Sequence, residues 1–167
     1  MADLTPAQRE FRAAMANLSA GVNIVTTDGP RGRAGITVSA ACSVTDDPPT
    51  MLVCVHRSSH AHDVLAGNER VCVNVLGSGQ QDLALRFAGA TGLPMHERFA
   101  GAVCDFAEVP VLRDAAASVI GHLGQVRPQG SHSVMFVEVE RVITRSGSGA
   151  LVYFQREFHS LAGAHRG

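Results

Sequence analysis

Residues 116–145 carry the two longest β-patterned runs of the chain, and they leave few ways to fold it. From Ser131 to Arg145, Val134, Phe136, Glu138 and Glu140 alternate against Met135, Val137, Val139 and Arg141, the period of a strand with two unlike faces. A second strand pattern runs from Ala116 to Val126, and Arg127-Pro128-Gln129-Gly130 between them is turn chemistry. Strands of that length joined so closely pair antiparallel.

The rest of the chain adds more strands. Val22–Thr27 is rich in β-branched residues, and Asp28-Gly29-Pro30-Arg31-Gly32 turns it into Ile36-Thr37-Val38, so the first two strands are expected to form a hairpin. Thr50–Val55 is near-continuously apolar, and Arg70–Leu76 is hydrophobic on both faces, which predicts a central strand. A short strand is expected from Val103 to Ala107, a break at Val109-Pro110, and a last hairpin in which Ser146-Gly147-Ser148-Gly149 returns the chain through Ala150–Phe154.

Helices are few. Thr5-Pro6-Ala7-Gln8 reads as a capping box, and Phe11, Met15 and Leu18 give the helix an apolar face expected to pack on the body of the protein. A short helix follows Ser58-Ser59, through Val64, Leu65 and Ala66. Ser78-Gly79-Gln80-Gln81 reads as a second capping box, opening a helix through Leu83, Leu85 and Phe87 that ends at Ala88-Gly89. Residues 90–99 hold too much Gly and Pro for regular structure beyond one turn at Met95–Arg98, and form a candidate lid. Many strands with short helices and no βαβ alternation predict a mainly β fold, an antiparallel barrel decorated by helices, as one domain over 1–167 with its core about 11–161.

Composition narrows the function. A formal net charge of −1 with scattered arginines argues against a polyanion binder, and 5% aromatic residues with no Trp argues against a stacking platform for single strands, so no nucleic-acid partner is expected. No apolar run reaches membrane-spanning length and Met1–Pro6 has no signal-peptide pattern, so a cytoplasmic protein without a membrane partner is expected. Cys42, Cys54, Cys72 and Cys104 are widely spaced, and those at 54, 72 and 104 lie in apolar strand contexts, as buried reduced thiols do. No Gly-x-Gly-x-x-Gly follows a strand, and no Ser-His-Asp, paired-carboxylate or metal-ligand pattern stands out.

Two stretches offer a site. Gly35–Pro49 begins β-branched and turns to small residues, Ser39, Ala40, Ala41, Cys42 and Ser43, before Asp46-Asp47-Pro48-Pro49. Small side chains beside hydroxyls suit a flat ligand laid along the backbone; a tightly packed sheet crossing is the structural alternative. In His56-Arg57-Ser58-Ser59-His60-Ala61-His62-Asp63, a serine can cap the next helix and leave its N–H groups for an anion. A metal site on the histidines, or histidines merely on the surface, are the rival readings.

Thr37–Pro49 followed by Thr50–Val55 resembles the first flavin-binding segment of the flavin reductase-like split-barrel family. Phe11–Thr27, Val71–Leu76, Gly130-Ser131-His132 and Leu151–His159 extend the likeness and narrow it to the reductase components of 4-hydroxyphenylacetate 3-monooxygenases. The resemblance implies an FMN-binding split barrel, a homodimer, acting as an NAD(P)H:flavin oxidoreductase. It would reduce FAD or FMN with NADH, or with NADPH, and supply free reduced flavin to a separate flavin-dependent, aromatic-hydroxylating monooxygenase.

It further implies that Thr37, Val38, Ser39, Ala40, Ala41 and Ser43, with Ser58, Ser59 and His60, hold flavin, and that His132, Phe158 and His159 approach the nicotinamide, His132 as the catalytic-side residue. The chain departs from the pattern at Ser131, where many relatives have Asp, and at Ser39-Ala40, where many have Asn-Ser. A non-enzymatic FMN-binding barrel, a carrier or sensor, is the alternative function.

Overall fold

Val38 and Ala41 sit on opposite edges of one sheet, and the two residues between them close it. The computed structural model describes residues 3–105 and 108–164. Its strands are β1 (Ala20–Gly21), β2 (Asn23–Thr27), β3 (Ala34–Val38), β4 (Ala41–Asp46), β5 (Pro49–His56), β6 (Arg70–Val75), β7 (Val103–Asp105), β8 (Val111–Leu112), β9 (Ala117–Gln129), β10 (His132–Thr144), β11 (Ala150–Phe154) and β12 (Glu157–Leu161). The helices are α1 (Pro6–Met15), α2 (His60–Asn68), α3 (Gln81–Phe87) and α4 (Met95–Arg98).

Seven strands run in the order β3-β2-β6-β9-β10-β5-β4, each pair antiparallel. Because Ser39-Ala40 alone joins the outermost strands, the sheet curls into a barrel, and the Ala40 carbonyl accepts from the Cys54 N–H at 2.9 Å. Val25, Val38, Val53, Val55, Val71, Val73, Met135 and Val137 fill the interior, and Ala61, Val64 and Leu65 of α2 seal it. This is the mainly β barrel that the strand patterns predict.

As expected, β2 and β3 form a hairpin and β6 is central, flanked by β2 and β9. Val71 and Val73 of β6 face the barrel, whereas Cys72 packs outward on Val109, Val111 and Ile120. Asn74 fixes this crossing. Its Nδ2 donates to the Ile24 carbonyl at 3.0 Å, and its Oδ1 accepts from Leu112 N–H at 3.0 Å and Ser118 Oγ at 3.1 Å.

Several expectations need correction. The turn between β9 and β10 is only Gly130-Ser131, with Gln129 opposite His132, so Arg127 and Pro128 belong to β9. Beyond His122 that strand has β10 alone beside it, so Pro128 breaks no second ladder. Residues 146–149 make no hairpin with β10. Instead β11 pairs with β1 and with β12, in a separate three-stranded sheet whose hairpin turn is Gln155-Arg156.

Ser78 does not cap α3: its Oγ donates to the Ser148 carbonyl, while the Gln80 side chain accepts from Gly77 N–H and donates to the Arg113 carbonyl. The expected strand to Ala107 is seen to Asp105, its last two residues lying outside the described ones. All four cysteines are free, but only Cys72 is buried; Cys54 is half-buried, and Cys42 and Cys104 are exposed on the edge strand β4 and the β7–β8 ribbon. Burial pushes the Cys72 thiol up to about 12.

Helix α1 carries the predicted capping box, with Thr5 Oγ1 accepting from Gln8 N–H and Gln8 Oε1 from Thr5 N–H. Its apolar face, however, does not pack on the barrel: Phe11 is 66% and Leu18 65% exposed.

Candidate functional site

Gly35 on β3 lets α3 lie close to the barrel wall, since a Cβ there would stand 2.7 Å from Phe87 Cε1. Phe87 meets Phe99 edge-on at 4.9 Å, and α4 follows, with Met95 packed against both neighbouring cores. The Arg98 Nε donates to the Leu93 carbonyl at 2.9 Å, and Arg86 donates to the carbonyls of Arg98 and Ala100. The segment read as a lid is therefore an anchored wall.

Between this wall and α2 lies a cavity of about 400 Å³ lined by Gly35, Ile36, Ser59, His60, Ala61, Phe87, Ala88, Gly89, Met95 and Arg98. Ser59 is the N-cap of α2, its Oγ accepting from His62 N–H at 3.2 Å. First-turn N–H groups of a helix lack intrahelical partners and carry its positive dipole end. Arg98 also lines the cavity, and together with the helix N-terminus it suits a phosphate.

A second cavity, of about 280 Å³, is lined by Val22, Thr37, Ser39, Leu85, Ala88, Tyr153 and Phe158. The two cavities share Ala88, at the end of α3, and together make up the candidate groove. The polar contacts available there come from small groups. Thr37 Oγ1 is spent on the Ala84 carbonyl at 2.7 Å, Ser39 is exposed, and Tyr153 and Phe158 stand 5.2 Å apart.

The groove thus unites Thr37, Ser39, Ser59, His60 and Phe158 of the predicted residues. Val38 is 8% exposed with its side chain in the barrel core, and Ala41 packs against that core, so each offers a ligand only its backbone. Ala40 is engaged through its carbonyl, and Ser43 lies out on β4 opposite Met51. Ser58 is not in the groove; its Oγ meets His56 Nδ1 at 2.8 Å.

His132 and His159 lie apart from Phe158. His159 is on the other face of β12, with Nε2 3.2 Å from the Phe154 carbonyl, as alternation along a strand requires. His132 sits beside the β9–β10 turn, against the His56 ring at 4.9 Å and with Nδ1 2.9 Å from Ser131 Oγ. Burial, and then the neighbouring His56, lower its pKa from the usual 6.5.

The fold also assembles what the sequence order hides: Asp63 Oδ1 lies 2.8 Å from His62 Nδ1, and His62 Nε2 2.9 Å from Ser133 Oγ. Ser133 is 1% exposed, so no substrate can reach its hydroxyl, and the chain of contacts clamps α2 to β10. With both ring nitrogens so engaged, His62 serves packing, while His60 of the same cluster lines the groove. Arg98 is the groove residue that sequence reasoning missed; only its place in an irregular, Gly-rich segment pointed to it.

An antiparallel barrel with a helix-capped anion pocket beside an aromatic-edged groove is a barrel of the nucleotide-cofactor-binding class. The chain belongs to the flavin reductase family: residues 15–162 match the flavin reductase like domain. It is 46% identical over 165 residues to the 4-hydroxyphenylacetate 3-monooxygenase reductase component of Pseudomonas aeruginosa, covering 96% of each chain. It is also 46% identical to the FMN reductase (NADH) RutF of Stutzerimonas stutzeri, covering 93% of this chain and 89% of that one.

Among solved structures, BorF, the flavin reductase component of a bacterial two-component tryptophan halogenase, superposes with a TM-score of 0.86 at 27% identity, over 93% of this chain and 99% of that one. The groove fits a flavin mononucleotide in chemistry as well. Its donor set is anion-selective, its walls at Gly35, Ala88 and Gly89 are small, and its size falls in the range of roughly 300–1,000 Å³ usual for small-molecule sites.

Proposed function

We propose that this chain is an NADH:flavin oxidoreductase that reduces FMN or FAD and releases the reduced flavin to a separate aromatic-hydroxylating monooxygenase. The observation that carries the reading is the pair of cavities that share Ala88, one lined by Ser59, His60 and Arg98 at the α2 N-terminus and the other by Thr37, Ser39 and Phe158. Ser59, His60 and Arg98 would take the flavin phosphate, and the backbone of residues 37–41 would run beside the ring. Hydride passes between nicotinamide and flavin by the cofactors' own chemistry, and the protein's part is to hold the two rings together and exclude water.

NADH is favoured over NADPH by the names of the RutF relatives. A homodimer is the expected state. Strand β4 is an edge strand with Val44 48% exposed, which a second copy can cover. A second copy would also supply the means to bring His132 of one protomer toward the groove of its partner. No helix of the described residues is long and apolar enough to cross a membrane, and we place the protein in the cytoplasm.

The test is NADH oxidation followed with and without added FMN or FAD. The reading requires oxidation that saturates with free flavin. Tight flavin binding without NADH oxidation would make the chain a carrier instead.

A further inference from the structure

Beside the groove lies a second hollow, of about 630 Å³, between α1 and the β11–β12 turn. Arg9, Arg12 and Arg156 line it with Phe11, Leu18 and Tyr153, and its lining includes no Asp or Glu. Arg9 is turned back to the Leu4 carbonyl. The guanidinium groups of Arg12 and Arg156 have no hydrogen-bond or ion-pair partner among the described residues. Two like charges facing one hollow repel, and an anion placed between them would relieve that repulsion.

The backbone at Arg156 points the same way. Gln155 and Arg156 form a two-residue hairpin turn with φ of 50° and 65°, a conformation that Asn and Gly adopt readily and long side chains do not. The turn is fastened to the end of α1: Gln155 N–H donates to the Ala16 carbonyl at 2.7 Å, and its Nε2 to Asn17 Oδ1 at 3.1 Å. A strained turn is thus held so that an unpaired arginine lines the hollow, and nothing in the packing of the barrel requires that charge.

Ser39 and Tyr153 line both this hollow and the cavity that holds Thr37 and Phe158. A ligand with its redox ring among those residues could therefore continue into the hollow. What the hollow offers is two free guanidinium groups beside exposed aromatic rings, Phe11 and Tyr153, the complement of a pyrophosphate joined to a flat base. We propose that the hollow between α1 and the β11–β12 turn binds the adenosine diphosphate moiety of a dinucleotide, its phosphates on Arg12 and Arg156. Both NADH and FAD carry that moiety and FMN lacks it. The placement of the redox ring rests on the function proposed above; the binding of the diphosphate does not.

The experiment titrates ADP into the full-length protein by calorimetry, for the wild type, for the double variant Arg12→Gln with Arg156→Gln, and for the charge reversal Arg12→Glu. ADP should bind the wild type, more weakly as salt is raised, and its affinity should fall about ten- to a hundredfold in both variants. Steady-state rates then identify the source. If NADH supplies the moiety, the KM for NADH with FMN as acceptor rises about tenfold or more while kcat changes less than twofold. If FAD supplies it, the KM for FAD rises and those for NADH and FMN stay put.

ADP binding that is absent, or equal in wild type and both variants, overturns the proposal. So does a fall in light-scattering mass from two subunits to one in the variants without measurable ADP binding, which would assign the arginines to a second copy. A wild type that binds ADP but does not oxidise NADH would sink the oxidoreductase reading and leave the hollow standing.

Discussion

His132 has two immediate neighbours, His56 and Ser131. The Ser58 N–H donates to His56 Nδ1 at 3.2 Å and holds that ring in place beside His132. The two rings meet nearly edge to face at 4.9 Å, so adding a proton to either puts charge against the other. Ser131 contributes a neutral hydroxyl to His132 where an aspartate would favour the imidazolium. Burial first, and then His56, lower the His132 pKa from its ordinary 6.5, which favours the neutral imidazole.

Loss of hydride leaves positive charge on a nicotinamide ring, which a neutral imidazole tolerates and an imidazolium opposes. His132→Ala should therefore raise the KM for NADH about five- to tenfold, and that for FMN or FAD less. The wild-type kcat/KM for NADH should also decline on the acid side as His132 takes up its proton, a limb missing from the variant. Equal effects on both substrates, or an unchanged acid limb, would remove His132 from the nicotinamide side. The histidine itself was legible from the Gly130-Ser131-His132 turn; its partner His56 was not, because they meet only through the pairing of β5 with β10.

Elements whose signals are local were read correctly from sequence, and those whose partners are distant were not. The Thr5 box on α1 is satisfied within four residues and forms as written. The Ser78 pattern is just as good on paper, yet Ser78 and Gln80 are drawn to Ser148, Gly77 and Arg113, so long-range partners outcompete the cap. Likewise the Gly-rich 146–149 segment looks like a hairpin turn, but β11 finds β1 and β12 rather than β10.

Gly35 belongs to the same class, since nothing in its neighbours along the chain announces that α3 will rest on it. Its Cα carries the space that Phe87 Cε1 fills, and Phe99 Cζ lies 3.3 Å from where a Cβ would be. Gly35→Ala should destabilise the fold by about 1–3 kcal/mol, as overpacking does. The Tm should drop by about 2–4 °C for each kcal/mol, measured by thermal unfolding. The same methyl group would narrow the cavity at Ala88 and Gly89, so flavin affinity should fall with stability. An unchanged Tm would mean that α3 is free to shift outward.

At the scale of the whole molecule, the barrel was legible because strands of alternating pattern without βαβ spacing have few other solutions. Its closure through Ser39-Ala40 was not, since a short run of small residues looks the same whether it packs a crossing or joins two edges. That closure also explains why the segment can serve a ligand: its side chains are minimal and its backbone lies at the rim of the groove. The groove is open along its length, with Ser39 exposed and its one aromatic pair, Tyr153 and Phe158, at one end. The chain has no Trp and a single Tyr, so few large rings are available to clamp an isoalloxazine. On the proposed placement, affinity would rest chiefly on phosphate contacts at Ser59, His60 and Arg98, which exchange readily with solvent and salt. Such a site would hold flavin as a substrate that comes and goes. Purified protein should lose its flavin on extensive dialysis and become colourless, while light scattering reports the mass of two subunits. NADH oxidation by the dialysed dimer should then depend hyperbolically on added FMN or FAD. Flavin retained at one per subunit after dialysis, with NADH oxidation indifferent to added flavin, would show that the groove closes on its ligand and would make reduced-flavin delivery to a separate oxygenase untenable.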